Sequence, residues 1–219
     1  INSNAYTSAL RTFDTYSINS LLYCQELKRI LLSKNVRIYE NSEVFEIKEN
    51  IAITKSGTVK ADNIIMCIDK IKRKLSKFSR KRYHAQTFLA ISKELTNKQI
   101  KSIFPHEKLM CWDSTLVYTY FKITKNNRFL VGGGSPLTTY YPAYFKSPII
   151  INSVIKSLRK KIPQLNNVEF EAYWPGLIDI TKDIMPIVDY DSKNNNVLYV
   201  IGNPGLPWAS FCGTYAAKK

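Results

Sequence analysis

The 219 residues carry 32 lysines and arginines against 17 aspartates and glutamates, a net charge of +15, with 45% hydrophobic, 12% aromatic and 22% charged residues. That composition excludes a disordered chain and allows one large domain, or two small ones, with a sizeable core. The four cysteines form no CxxC pair and the two histidines do not pair with one another, so the spacing of a zinc site is missing.

The first residue is Ile1, which makes the chain read as a piece of a longer protein or a processed product. No basic, apolar, small-residue leader opens it. The longest uncharged run, 194–217, is broken by Gly202, Pro204, Gly205, Pro207 and Gly213 and predicts no membrane span. Cys24, Cys67, Cys111 and Cys212 are expected to be reduced, Cys24 and Cys67 in apolar surroundings, with the cytoplasm as the compartment.

Tyr23, Cys24, Leu27, Ile30 and Leu31 recur at helical spacing; Ser17 or Asn19 can cap the start, and Asn35 can end the helix in the left-handed conformation. Short strands are predicted at 36–39, 44–48 and 51–54, with a Ser56-Gly57 turn leading to Val59. Ile64 to Ile68 is apolar without alternation, the pattern of a strand buried on both faces. Eight cations and no acid follow: Lys70, Lys72, Arg73, Lys74, Lys77, Arg80, Lys81 and Arg82. Such a run predicts a solvated face, with an anion or nucleic-acid contact as the alternative.

Strands at 85–92, 109–112, 116–123 and 128–131 predict a mostly antiparallel sheet ended by Gly132, Gly133 and Gly134. Residues 136–148 read as an aromatic loop. Ile151, Val154, Ile155 and Leu158 share one side of a helix over 149–161, which Pro163 stops. A strand over 168–174 feeds WPGLIDITKD, 174–183, which reads as a rigid turn. A buried strand at 197–201 precedes a helix at 207–217 that opens with proline. The fold class is α/β (α+β), an α/β domain interrupted by a sheet-rich one.

Five stretches carry a family likeness: NVRIYENSEVFEIKEN (35–50), ADNIIMCID (61–69), YTYFKITKNNRFLVGGG (118–134), WPGLIDITKDIMPIV (174–188) and VLYVIGNPGLPWASFCGTYAA (197–217). In that order they resemble the flavin-dependent oxidoreductases of the D-amino acid oxidase superfamily, in the branch of glycine and sarcosine oxidases. That family opens with a GxGxxG turn that seats the cofactor pyrophosphate on a helix N-terminus. No GxGxxG occurs here, and no glycine precedes Gly57. The resemblance therefore implies a fragment. Residues 1–70 would be part of a Rossmann-like FAD-binding domain, 71–173 an antiparallel β-sheet substrate domain, and 174–219 the return to the first. It implies FAD as cofactor of the full-length parent, weak or absent FAD binding by the fragment, and the missing N-terminal segment of the same protein as partner.

Gly202, Gly205 and Pro207 read as a strand-to-helix turn whose backbone N–H groups would face whatever lies there; an ordinary turn is the plainer reading. The resemblance places the flavin at that turn and adds Leu206 and Trp208. It puts Val44 at the adenine end and Cys67 near the end of the strand beside the dinucleotide. Gly176, stiffened by Pro175, would let the backbone approach a flat ligand. Tyr118 and Tyr120 share one strand face; with Trp112, Arg128 and Trp174 they are the candidate substrate contacts, able to cage an amine or simply to pack the sheet. Asp183 is expected to fix its loop by local hydrogen bonds.

Relatives that bind simple amino acids hold the carboxylate with an arginine just after Trp-x-Gly-x, where this chain has Ile178 and Asp179. Some carry a second arginine where it has Asn203-Pro204. A small amino acid anchored by its carboxylate is thereby disfavoured. The expected function is oxidation of a C–N bond of a small-molecule amine or modified amino acid by hydride transfer to FAD. No catalytic residue is assigned, with His84 and His106 the only acid–base candidates. The alternatives are a non-catalytic remnant and an anion- or nucleic-acid-binding module using 70–82.

Overall fold

The computed structural model describes residues 1–69, 75, 78, 81–115, 117, 119–135, 147–202 and 205–219. The chain divides into two compact units, Leu10–Ile64 and Ile1–Ala9 with Ile65–Lys219.

In the smaller unit, helix α1 (Ser20–Ser33) starts where the Asn19 side chain accepts hydrogen bonds from the Leu21 and Leu22 amides. It ends where Asn35 takes φ 60°, the left-handed conformation expected of it. Strands β1 (Val44–Lys48), β2 (Ile51–Thr54) and β3 (Thr58–Lys60) form an antiparallel meander, and Thr54 Oγ1 accepts from the Gly57 amide to close the second turn. Residues 36–39 are not a strand: the Val36 amide donates to the Leu31 carbonyl, so the chain is still closing the helix end. No residue of α1 is buried, and Cys24 is exposed rather than held in a core.

The larger unit is built on an antiparallel sheet of β5 (Arg82–Glu94), β6 (Cys111–Trp112), β7 (Tyr120–Ile123), β8 (Arg128–Gly134) and β9 (Phe170–Thr181), in the order β6-β7-β8-β5-β9. One face is dry. Phe88, Ala90, Phe121, Phe129 and Val131 pack there under α3 (Pro148–Lys161), which contributes the predicted Ile151, Val154, Ile155 and Leu158. Each large side chain shut in this way contributes roughly 1.5–3 kcal/mol. Helix α2 (Asn97–Ile103) adds Ile100 and Ile103. The sequence reading missed it, although Thr96 and Gln99 form a complete capping box.

The stretch WPGLIDITKD is strand, not turn. Trp174, Pro175 and Gly176 pair with Leu89, Phe88 and Thr87 in mid-β9. Because β9 is an edge strand, the N–H that proline lacks can face outward and leaves no ladder bond unmade. The turn comes later, where the Asp183 carboxylate accepts from the Met185 amide at 3.1 Å, the local hydrogen bond expected of it.

Beyond it, β10 (Ile187–Asp191) and β11 (Asn194–Ile201) form a hairpin whose third neighbour is β4 (Ile64–Met66), in the order β10-β11-β4. The two apolar runs, 137 residues apart at Ile64 and Ile201, thus lie side by side in one sheet. Burial of β4 on both faces does not occur: Met66 is buried, but Ile65 is 51% exposed and Cys67 is exposed, because β4 sits at the sheet edge. Helix α4 (Leu206–Ala216) packs Cys212 and Ala216 against Leu198 and Val200.

Of the basic run only Leu75, Phe78, Lys81 and Arg82 are described, and Arg82 is buried rather than part of a solvated face. Tyr118 and the aromatic residues of 136–146 lie outside the described residues. Among the described residues no helix is long and apolar enough to cross a membrane, and no three potential metal ligands gather.

Candidate functional site

Strand alternation divides the chemistry of the five-stranded sheet between its faces. Along β5 the even-numbered residues from Arg82 to Ser92, except His84, are buried; the odd ones from Tyr83 to Ile91 are half-buried. On the open face, the strand registers align one residue from every strand. Trp112 pairs with Tyr120, Tyr120 with Gly132, Gly132 with Leu89, and Leu89 with Trp174. Three of the five candidate substrate residues, Trp112, Tyr120 and Trp174, therefore form one cross-strand row. Trp112 is 54% and Trp174 40% exposed.

Gly132 sets the position of Tyr120. A Cβ at Gly132 would lie 2.1 Å from Tyr120 Cζ, so the tyrosine ring lies across the bare backbone of the neighbouring strand. A Cβ on Gly133 would instead meet Val154 of α3 at 3.0 Å, which confirms that consecutive glycines serve opposite faces.

Arg128 does not present a free guanidinium. Its Nε donates to the Ser92 carbonyl at 2.7 Å and its Nη2 to the Glu171 carboxylate. These two partners occupy the guanidinium of a residue that the sequence puts among the candidate substrate contacts.

The second part of the site is the exit from β11. Gly202 adopts φ 68°, and a Cβ there would lie 2.6 Å from Thr181 Cγ2, so two separate constraints favour glycine. Gly205 precedes α4 at φ 101° and has no side chain to cap the helix. Leu206 and Pro207 occupy the first two helical positions; proline has no N–H, so the Leu206 and Trp208 amides are the first-turn donors that an anionic or hydrogen-bond-accepting ligand could meet. The local geometry fits the edge of a flavin. Trp208 has a packing contact instead: it meets Phe211 edge-on, ring centroids 6.1 Å apart, beside Leu198 and Val200. Val44 begins β1 in the smaller unit, paired with Thr54, and is half-buried there.

Sequence reasoning missed a buried charge cluster on the covered side of β5 and β9. Arg82 Nη1 donates to Asp179 Oδ2, while Asp179 Oδ1 lies 3.5 Å from His84 Nδ1. The Asp179 amide in turn donates to Asp69, just beyond β4, at 3.3 Å. Thr181, two residues on, is the side chain that touches Gly202. The cluster thus ties the loop after β4, the start of β5 and the end of β9 together beside the glycine turn. The sequence could not signal it, because Arg82 and Asp179 stand 97 residues apart.

The profile of the FAD-dependent oxidoreductase family (DAO) matches residues 2–219. The chain is 24% identical over 195 residues to a probable oxidoreductase OrdL of Haemophilus influenzae, covering 85% of this chain and 43% of that protein. It is 27% identical over 215 residues to the gamma-glutamylputrescine oxidoreductase of Escherichia coli, covering 94% and 47%. Its fold resembles glycine oxidase from Bacillus cereus, with a TM-score of 0.70 at 19% identity, over 87% of this chain and 54% of that one. The chain spans less than half the length of these two sequence relatives. With β4 and β11 joined in one sheet, the glycine turn at the end of β11 and the antiparallel sheet beside it, the chain belongs to the DAO family of FAD-dependent oxidoreductases.

Proposed function

We propose that this chain is part of an enzyme that oxidises a C–N bond of an amine or modified amino acid, with FAD as the hydride acceptor. The observation that carries the reading is the pair of positive-φ glycines, Gly202 after β11 and Gly205 before α4. The first stands at the end of a strand whose sheet neighbour is the apolar run before Cys67, and the second opens a helix without a side-chain cap. When bound, the flavin ring supplies the electron sink. Gly202, Gly205 and Leu206 would meet its polar edge through their backbone, with Pro207 and Trp208 fixing the helix start. Gly176 would allow close approach, and Cys67 would line the nucleotide side. Trp112, Tyr120 and Trp174, with Tyr118, would orient the substrate and keep water from it. The gamma-glutamylputrescine oxidoreductase and glycine oxidase among the similar proteins support a nitrogen-bearing substrate.

The three-part organisation 1–70, 71–173 and 174–219 goes with this reading. So does a need for completion: these 219 residues contain no GxGxxG turn. A segment of the same protein bearing that turn would supply the pyrophosphate seat, and the chain alone would bind FAD weakly and turn nothing over. The test is a flavin absorbance spectrum of the purified chain, alone and joined to a strand–GxGxxG–helix segment. The joined protein should retain yellow flavin that bleaches anaerobically on adding amine. A joined protein that folds but stays colourless would refute the reading.

A further inference from the structure

The open face carries a second cross-strand row beside the aromatic one. Gly134 pairs with Thr87 and Thr87 with Gly176, so a single threonine stands between two residues without side chains. This row spans three strands, about 10 Å from β8 to β9. Its floor is bare backbone with the Thr87 hydroxyl, 3.4 Å from the Gly176 carbonyl. One wall is the Tyr120 ring, Leu89 and Trp174; the other begins with Ala85 and Ile178, which pair with one another. Val117 closes the Gly134 end, where an added Cβ would come within 3.2 Å of its Cγ1.

None of these residues is charged. Lys122 shares the face but lies two residues from Tyr120, about 7 Å along the strand and away from the glycine row. Arg128 is taken up by Glu171 and the Ser92 carbonyl. The described residues of the trough thus offer no fork for a carboxylate. They do offer aromatic faces, where an ammonium is stabilised electrostatically, and a floor bare of side chains except Thr87, over which an unbranched carbon chain can lie flat.

We propose that the trough Gly134–Thr87–Gly176 seats the unbranched carbon chain of an alkylamine without a carboxylate beside the nitrogen, its amine against Tyr120 and Trp174. The inference rests on the oxidoreductase reading above and narrows its substrate class, with Gly134, Gly176 and Thr87 as the specificity-determining residues.

The test needs no flavin. The chain has three tryptophans, Trp112, Trp174 and Trp208, so the ¹⁵N-labelled protein gives three indole N–H signals, and Trp208, in α4 against the other sheet, is an internal control. N-Methylbutylamine should shift the Trp174 signal most and leave Trp208 in place. N-Methylnorvaline, which adds the carboxylate, and the branched tert-butylamine should each bind at least about tenfold more weakly. Gly176→Ala places a methyl in the floor where its only close neighbour among the described residues is Thr87 Oγ1 at 3.2 Å, so the strand should survive while N-methylbutylamine affinity drops. Thr87→Leu fills the floor independently and should do the same.

Equal affinity for the carboxylated amine, full affinity in both variants, or a Trp174 shift produced by lumiflavin and by none of the amines would each overturn the proposal. A joined protein that holds flavin but shows no amine preference sinks the trough alone. Amine binding with the joined protein colourless sinks the flavin reading and leaves the trough standing.

Discussion

Asp179 and Arg82 form an ion pair shut away from water, their side chains 1% and 4% exposed. Removing one member of such a pair strands a buried charge, which costs about 3–5 kcal/mol, a large share of the roughly 5–15 kcal/mol that holds a domain folded. Asp179→Ala should therefore lower the urea midpoint sharply or leave the chain insoluble. Replacing both charges by apolar groups, Arg82→Met with Asp179→Leu, should recover most of the loss. A double variant no more stable than the single one would show that the pair is not the source of the effect.

The same carboxylate bears on His84. Asp179 Oδ1 and His84 Nδ1 are both buried, neither has a hydrogen-bond partner among the described residues, and they face each other at 3.5 Å. Only a proton on Nδ1 makes that contact favourable, which fixes the neutral tautomer and leaves Nε2 as the basic nitrogen. Long-range ¹H–¹⁵N spectra can read this directly, since His106 is the only other histidine. His84 should show Nδ1–H, and Asp179→Asn should change the pattern. An Nε2–H signal in the unaltered chain would count against the assignment.

Tyr120 and Gly132 give a third expectation. An alanine at Gly132 would force the tyrosine ring off the strand, an overpacking cost of about 1–3 kcal/mol. Removing the ring first should make the alanine nearly harmless. Chemical denaturation of Gly132→Ala, Tyr120→Ala and the double variant should give a favourable coupling of about 0.5–3 kcal/mol. Simple additivity would mean that the ring does not rest there in solution.

What the sequence made legible was whatever depends on neighbours along the chain. Asn19 and Asn35 mark the ends of α1, and the four apolar residues of α3 fall where the helical period puts them. Pro175 and Gly176 misled because both punctuate turns locally, and nothing local says that β9 is an edge strand, where proline is tolerated. Three consecutive glycines at 132–134 read as a stop, yet Gly132 and Gly134 face one side and Gly133 the other, a difference that appears only once the register is known. Arg82 read as part of a solvated run because its partner lies far along the chain. Of the candidate site, the aromatic residues were found by type and by family likeness. Their alignment in one row, and the glycine trough beside it, are tertiary facts.

Asp113 supplies the pH expectation. It follows Trp112, and its side chain is 2% exposed. Burial raises its pKa, but the Lys161 ammonium at 2.6 Å, the Thr115 hydroxyl and the Thr119 and Thr115 amides outweigh that, and the net effect holds the carboxyl below the usual aspartate value. A depressed folded pKa means that the unfolded chain binds the proton more readily. The stabilisation is therefore complete above about pH 4 and is lost as pH falls through the lower folded value. Asp113→Asn should cost about 2 kcal/mol at pH 7, the scale of hydrogen bonds to a charged group. Its disadvantage should shrink steadily below about pH 4, where the carboxyl of the unaltered protein becomes protonated. Because Asp113 anchors the chain where it leaves β6 just after Trp112, the Trp112 indole signal should broaden in this variant while that of Trp208 stays sharp. Urea titrations at pH 3, 5 and 7 check the first part, and a stability difference that does not change with pH would remove Asp113 from the account.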